Sequence, residues 1–282
     1  MDWAGTRARL QGPAFAPLAP SLARLDPARW PTHAELTALA AGIATVSGAP
    51  LRFVPPRTQR DAGRPYYERH IARTGEVETR AGNWHDLFNA LAWIAFPRAK
   101  AAINAQHAAM LEEGGEAEAR RRRPERDALT LFDEGGVVVA ACAPAPLRLI
   151  TGHEWKALFW QGREALAAQA RFVAFGHALF EKMLDPFIGI VAKAVFVPVD
   201  DLFMMLPPEA QAARVDELLA AHFADRARFP SPRAMPPIPV LGIPGWHPST
   251  DREDFYDDAG HFRPAPGTAP DPGDCPRARG GT

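Results

Sequence analysis

The sequence predicts an α+β fold: a mostly helical single domain with a small antiparallel sheet. Two observations predict this class. Segments whose apolar residues recur at spacings of three and four are long, whereas runs rich in β-branched residues are few and short. The chain also has 282 residues, of which 47% are hydrophobic, and this is enough to bury a sizeable core.

The first half of the chain contains two short helices and one strand ahead of its longest helical region. In PTHAELTALAAGI, Thr32 is a candidate N-cap, with Glu35 at the capping-box spacing. LRFV at residues 51–54 is a candidate strand. YYERHIARTG predicts a helix ended by Gly75, which tolerates the left-handed C′ conformation. The long helical region begins at Asn83.

The second half of the chain supplies the sheet. Two β-rich runs flank DEGG at residues 133–136, and this pattern predicts a hairpin near residues 129–142. A further strand is expected near residues 193–199, with Pro198 at its end or at an edge. Helices are expected over residues 153–184 and in PPEAQAARVDELLAAHFAD, which has Pro at its start.

We expect one globular domain over residues 1–263. Residues 112–127 combine Gly, Pro and opposed charge blocks, so they predict an exposed loop. The proline-rich stretch from Phe229 is expected to wrap the surface. Residues 264–282 lack the apolar content needed for a packed structure and predict a disordered C-terminal tail.

Composition narrows the classes of partner. The formal net charge of −1 supplies no global field that would attract nucleic acid or an anionic membrane. No run of 18 apolar residues occurs, and the N-terminus lacks the order of a signal peptide. Cys142 and Cys275 are too few for a disulfide framework or a cysteine zinc site. A cytoplasmic protein that binds neither nucleic acid nor membrane is expected.

A polar stripe along the long helical region is the most informative feature. Leu87, Phe88 and Leu91 gather on one side, as in an ordinary core face. The opposite side presents, at spacings of three or four, His85, Asn89, Trp93, Phe96, Lys100, Asn104 and His107. A surface helix does not place Trp93 and Phe96 towards solvent, so this face should be covered or line a cleft. Pro97 should kink the helix in the middle of the stripe.

The start of this helix admits two interpretations. Asn83 is a good N-cap, and Asp86 falls at N3, where an acid can close a capping box and complement the helix dipole. His85 could then simply donate to a neighbouring carbonyl. Alternatively, Arg80, His85 and the free helix amides form a place for a phosphate or a carboxylate.

Other candidate ligands are less specific. His177 and Glu181 have the i, i+4 spacing of a metal-binding pair, but the same spacing more often gives a hydrogen bond on a helix surface. Asp133 could bind a metal, although acid at a hairpin turn is ordinary turn chemistry. Neither a metal nor a cofactor is assigned from the sequence.

Several segments resemble one known family. NWHDLFNALAWIAFPRAKAAIN, with LTLFDEGGVVVA, HEWKALFW, FGHALFEKML and LGIPGW, is similar to the bacterial domain-of-unknown-function family numbered 3025, roughly from Tyr66 to Pro264. The first motif is long and specific. Where the family pattern has Pro-Thr-Arg before the helix, this chain has Glu78, Thr79 and Arg80. The resemblance implies membership and no established activity.

The leading functional hypothesis is an enzyme, a hydrolase acting on a small phosphorylated or carboxylated substrate held at the start of the Asn83 helix. His85 would act as general base or acid, and Asn89 would orient it or the substrate. The candidate catalytic residues are His85, Asn89 and Asp86, and the candidate substrate-binding residues are Arg80, Trp93, Lys100, Asn104, His107 and His177.

The alternative is a non-catalytic binding or regulatory module. In it, the face of His85, Asn89, Trp93 and Phe96 would receive a peptide or a protein partner. The two hypotheses differ in shape. An enzyme requires polar groups from the second helical region, such as His177 or Glu181, to face His85 across a closed pocket, whereas an open apolar groove favours the module.

Overall fold

The computed structural model of the chain describes residues 2–57, 67–119 and 123–265, and these residues confirm the α+β prediction. The helices are α1 (Trp3–Arg7), α2 (Ala19–Ala23), α3 (His33–Leu39), α4 (Tyr67–Thr74), α5 (Trp84–Ala95), α6 (Pro97–Ala119), α7 (Pro124–Gly135), α8 (Ala145–Thr151), α9 (Arg163–Gln169), α10 (His177–Lys182), α11 (Asp201–Met205) and α12 (Pro208–Ala224). The strands are β1 (Arg52–Val54), β2 (Glu76–Glu78), β3 (Gly136–Ala141), β4 (Ala170–Ala174), β5 (Val191–Pro198) and β6 (Pro237–Pro239). A π-helical turn spans Ala157–Gln161, and short 3₁₀ segments occupy Pro13–Leu18, Arg226–Arg228, Pro232–Ala234, Val240–Gly242, Pro248–Asp251 and Glu253–Asp257.

The larger sheet has the strand order β4-β3-β5-β6. β3 runs parallel to β5 and antiparallel to β4, and β6 pairs antiparallel with the other side of β5. Every residue of β3 is buried, as expected for a strand whose two faces are both covered. Its side chains alternate between two hydrophobic clusters, with Val137 and Val139 in one and Val138 and Ala140 in the other. β1 and β2 form a separate parallel pair.

The predicted hairpin near residues 129–142 is wrong, and so is the purely antiparallel sheet. Residues up to Gly135 continue α7, whose buried side includes Leu129 and Phe132, and the chain then passes directly into β3. The three-residue spacing of these apolar side chains fits a helix, while Gly135 and Gly136 mark the junction. The sheet is mixed because β4 follows β3 in the opposite direction and the chain reverses again after α10, so that β5 runs parallel to β3.

Two further boundaries differ from the prediction. The backbone of residues 112–119 continues α6, and α7 begins at Pro124, so most of the expected loop at residues 112–127 is helical. Glu113 is held there by two hydrogen bonds from the Arg226 guanidinium. Residues 120–122 and the tail segment 266–282 lie outside the described residues.

Residues 170–174, expected within a helical region, form β4 because they pair with β3 along their whole length. The proline-rich stretch from Phe229 does not merely wrap the surface. Phe229 and Ile238 are completely buried, and β6 adds an edge strand to the sheet. Prolines are tolerated in β6 because an edge strand needs only one row of hydrogen bonds.

The helix signals near the polar stripe are confirmed. Gly75 has a φ of 70° and its amide donates to the carbonyl of Ile71, which closes α4. Asn83 is the N-cap of α5, and its side chain accepts from the amide of Asp86. The kink expected at Pro97 is a complete break, since α5 ends and α6 begins there. Among the described residues, no helix is long and apolar enough to cross a membrane.

Candidate functional site

A polar cavity of about 420 Å³ lies where α4, α5, α6, α7 and α10 meet. Its wall contains all nine residues that the sequence indicates as candidates, namely Arg80, His85, Asp86, Asn89, Trp93, Lys100, Asn104, His107 and His177. Tyr67, Glu68, Glu78, Asp133 and Glu134 also line it. The prediction that the striped face lines a cleft is therefore confirmed.

His85 stands in the first turn of α5, and Glu181 on α10 orients its ring. The Nδ1 of His85 lies 2.9 Å from Oε2 of Glu181. A neutral imidazole that donates from Nδ1 keeps its lone pair on Nε2. The sequence pairs Glu181 with His177, its neighbour one turn away, but in the fold Glu181 contacts His85 instead.

His177 is brought to His85 by the close approach of Gly176 to the junction between α7 and β3. A Cβ at Gly176 would lie 2.4 Å from the carbonyl oxygen of Glu134, so only glycine fits without a shift. The His177 ring then stands edge-on to that of His85, with 4.6 Å between centroids. Its Nδ1 lies 3.6 Å from Oδ2 of Asp133, and its Nε2 lies 3.6 Å from Oε2 of Glu134.

Burial sets the protonation of this group. It lowers the pKa of His177 to about 4, so the imidazole is neutral at pH 7. It raises the pKa of Glu134, and the nearby Asp133 carboxylate acts in the same direction. Burial also opposes ionisation of Asp133, but Lys100 and His177 outweigh it and hold the pKa of Asp133 below its usual value.

Lys100, which is 4% exposed, is fully satisfied at the base of the cavity. Its Nζ donates to Oδ1 of Asp133 at 2.6 Å and to Oδ1 of Asn89 at 2.9 Å, and it lies 5.4 Å from the centre of the Trp93 ring. This network explains why a lysine is tolerated on a buried helix face, because each polar group has a partner.

Arg80 and Asp86 bind each other at the rim. The Nε and Nη2 atoms of Arg80 donate to the carboxylate of Asp86 at 2.9 and 2.8 Å, and the backbone amide of Arg80 donates to it at 2.7 Å. The carboxylate of Asp86 thus holds the loop before α5, and a capping box with Asn83 is not the arrangement observed. Both lining cations, Arg80 and Lys100, are already paired with carboxylates.

Asn104 and His107 lie further along α6. The Nδ2 of Asn104 donates to the backbone oxygen of Glu68 at 2.9 Å and to its carboxylate at 2.7 Å, which ties α4 to α6. His107 is buried, and burial lowers its pKa. Their contacts fit a role in shaping the cavity.

Trp93 and Phe96 are not available to a partner. Trp93 is 2% exposed and Phe96 is completely buried. Phe96 packs against Phe175, with 5.0 Å between ring centroids, and does not line the cavity. Within the part of the chain that the structure describes, these two aromatic side chains form no open apolar groove.

His85, Glu134 and His177 form the chemical centre of the cavity. Each offers one metal-ligand atom, and these atoms lie within 4.8 Å of one another. We refer to these three residues as the histidine–glutamate cluster. Sequence reasoning missed Glu134 because DEGG between apolar runs predicts a turn. Nothing in the local sequence around His85 or around Glu134 indicates that the two residues meet.

Comparison with known proteins identifies a family only. The family model described as "Protein of unknown function (DUF3025)" matches residues 51–266, in agreement with the resemblance of the motifs. This range contains every residue that lines the cavity. No curated protein and no solved structure matches the chain.

Proposed function

The chain belongs to the DUF3025 family, and we propose that it is a hydrolase whose attacking water is activated at the histidine–glutamate cluster. One observation carries the proposal: two residues of α10 meet His85 at the wall of the polar cavity, with Glu181 bound to its Nδ1 and the His177 ring edge-on to its ring. This is the arrangement that distinguishes an enzyme from a binding groove. Two imidazoles with carboxylates beside them are the groups that protein catalysts use to move protons.

The proposed reaction is a simple displacement. The water oxygen forms a bond to the electrophilic carbon or phosphorus of the substrate, while its proton passes to a carboxylate of the cavity wall. The bond to the leaving group then breaks, and the leaving group takes up a proton. The cavity volume of about 420 Å³ suits a small molecule or the end of a larger one.

The charge of the cavity limits the substrate. The lining carboxylates of Glu68, Glu78, Asp86, Asp133 and Glu134 outnumber the lining cations five to two. Because both cations are ion-paired, the side chains alone do not attract a phosphate or a carboxylate. An anionic substrate, as proposed from Arg80 and the start of α5, therefore needs positive charge from another source.

The test is hydrolysis of four chromogenic substrates: p-nitrophenyl acetate, p-nitrophenyl phosphate, bis(p-nitrophenyl) phosphate and alanine p-nitroanilide. They represent esters, phosphomonoesters, phosphodiesters and amides. We expect the parent protein to turn over at least one of them. His85→Gln should lower kcat/KM by at least about 100-fold, the usual contribution of such a group. Glu134→Gln should do the same.

His153→Asn is the matched control, because His153 lies outside this cavity. Its φ of 56° is one that asparagine adopts readily. The control should keep the parent activity, and all variants should unfold at the parent temperature within a few degrees. Turnover no faster than the uncatalysed rate for every substrate, or equal turnover by the parent and His85→Gln, would contradict the proposal.

A further inference from the structure

We propose that the histidine–glutamate cluster binds one divalent transition-metal ion, with zinc as the best match, through Nε2 of His85, Nε2 of His177 and the carboxylate of Glu134. The catalytic role of this metal ion rests on the proposed function, because the ion would be the group that activates the attacking water. The binding itself is independent of that function.

The spacing of the ligand atoms fits a small ion. A tetrahedral zinc site with bonds of about 2.0–2.1 Å places its ligand atoms roughly 3.3 Å apart. The Nε2 of His177 and Oε2 of Glu134 are 3.6 Å apart, so this edge needs a shift of only a few tenths of an ångström. One ligand atom from each of the three residues lies within 4.8 Å of the others, within reach of small side-chain rotations.

The surroundings of both imidazoles match those of metal-bound histidines. A ligand histidine commonly donates from its other ring nitrogen to a carboxylate, which fixes the ring and increases its basicity. Glu181 stands 2.9 Å from Nδ1 of His85, and Asp133 stands 3.6 Å from Nδ1 of His177. In both rings Nδ1 therefore faces a carboxylate. The Nε2 of His177 faces Glu134, and Nε2 of His85 is the ring nitrogen that does not contact Glu181.

His177 supplies a second, independent observation. Its side chain is 7% exposed, and its Nδ1 is buried with no hydrogen-bond partner of normal geometry. A buried N–H without a partner costs free energy. If the ring moved slightly to bind an ion through Nε2, the distance between its Nδ1 and Asp133 would change as well. Asp133 is the natural acceptor for a hydrogen bond from Nδ1.

The charge of the cavity also favours a bound cation. An ion of charge +2 would offset the excess of carboxylates in the wall and would attract the anionic part of a substrate. Two imidazole nitrogens and one carboxylate oxygen favour zinc or another first-row metal over magnesium or calcium. Three protein ligands leave a fourth position for water, and zinc lowers the pKa of such a water to about 7.

The test uses the full-length protein, freed of metal with a chelator and then titrated with Zn²⁺ by calorimetry and with Co²⁺ by visible absorption. We expect one equivalent to bind and Co²⁺ to give the spectrum of a four-coordinate site. His85→Gln and Glu134→Gln, both at partly exposed positions, should each weaken binding by more than tenfold. Glu181→Gln should weaken it by about 10- to 100-fold through its effect on His85.

His153→Asn serves again as the control and should bind as the parent does. Equal affinity in the parent and in His85→Gln, or no stoichiometric binding by the parent, would overturn the metal site. The two proposals fail separately. If the protein binds no metal but its hydrolysis depends on His85, the hydrolase proposal is supported and the metal site is not. If the protein binds one equivalent of metal but turns over no substrate, only the metal site is supported.

Discussion

Replacing Lys100 with methionine should reveal how strongly the base of the cavity depends on one buried charge. Methionine keeps the length and apolar stem of lysine but removes the ammonium that lies 2.6 Å from Asp133 and 2.9 Å from Asn89. At 2.6 Å, the attraction of two unit charges is about 6 kcal/mol at an effective dielectric constant of about 20. The variant leaves the Asp133 carboxylate in the interior without this partner.

Protonation of Asp133 limits the free-energy cost of removing the Lys100 ammonium. Asp133 can become neutral in the folded variant, and at pH 7 this costs about 4 kcal/mol for a carboxyl whose ordinary pKa is about 3.9. At pH 5 the same step costs only about 1.5 kcal/mol. We therefore expect Lys100→Met to lower the free energy of unfolding by about 3–4 kcal/mol at pH 7, and by about half as much at pH 5.

The sign of this pH effect follows from the two folded states. In the parent, the pKa of Asp133 is below its usual value, so the stability it contributes is lost as pH falls through that pKa. In the variant, the pKa of Asp133 is raised above the unfolded value, so its stability increases as pH falls. The difference in the free energy of unfolding between the parent and Lys100→Met must therefore decrease as the pH falls.

Urea unfolding of the metal-free proteins, followed by circular dichroism at pH 7 and pH 5, measures both quantities. Lys156→Met is the matched control, because Lys156 forms exposed ion pairs with Asp257 and Glu253 and should cost less than about 1 kcal/mol. Lys100→Met with Asp133→Asn should recover much of the loss. A cost for Lys100→Met below 1 kcal/mol at pH 7, or one that does not change with pH, would show that the Asp133 carboxylate does not depend on the charge of Lys100.

Three further outcomes are expected from urea unfolding. Trp93→Ala should cost about 3–5 kcal/mol because the ring is 2% exposed, and a cost within error would place this face in solvent. Asp216→Ala should cost about 1–3 kcal/mol, since its carboxylate accepts from the first two amides after Pro97 at 3.1 and 2.8 Å; an unchanged midpoint would mean that water replaces it. Burial lowers the pKa of His261 to about 4, below its unfolded value, so the unfolded chain takes up a proton at a higher pH than the folded protein does. The stability contributed by the neutral ring is therefore complete above about pH 6.5 and is lost as pH falls towards 4. The parent should therefore lose about 3 kcal/mol more than His261→Gln over that range, and parallel pH profiles would exclude this effect.

Local patterns in the sequence predict one wall of the cavity. The spacing of His85, Asn89, Lys100 and His107 places them on one face, and Trp93 within that face shows that it is covered. Pro97 predicts the change of direction, which becomes a break because α6 starts there with its first amides capped by Asp216. These features depend on contacts within a few turns of helix, and such contacts are visible in sequence.

The opposite wall could not be predicted, because it depends on distant contacts. Glu181 is 96 residues from His85, and no local pattern indicates that they meet. Asp133 and Glu134 precede two glycines, which in sequence indicate a turn but in the fold mark a helix passing into a strand. Gly176 was also missed, since its importance lies in how closely it approaches the carbonyl of Glu134.

X-ray diffraction from crystals grown with Zn²⁺, with data collected on both sides of the zinc absorption edge, tests most directly whether the histidine–glutamate cluster is a metal site. We predict one strong anomalous peak inside the cavity, about 2.0–2.2 Å from Nε2 of His85, Nε2 of His177 and a carboxylate oxygen of Glu134, with water at the fourth position. Anomalous peaks confined to the outer surface, with none in the cavity, would contradict it.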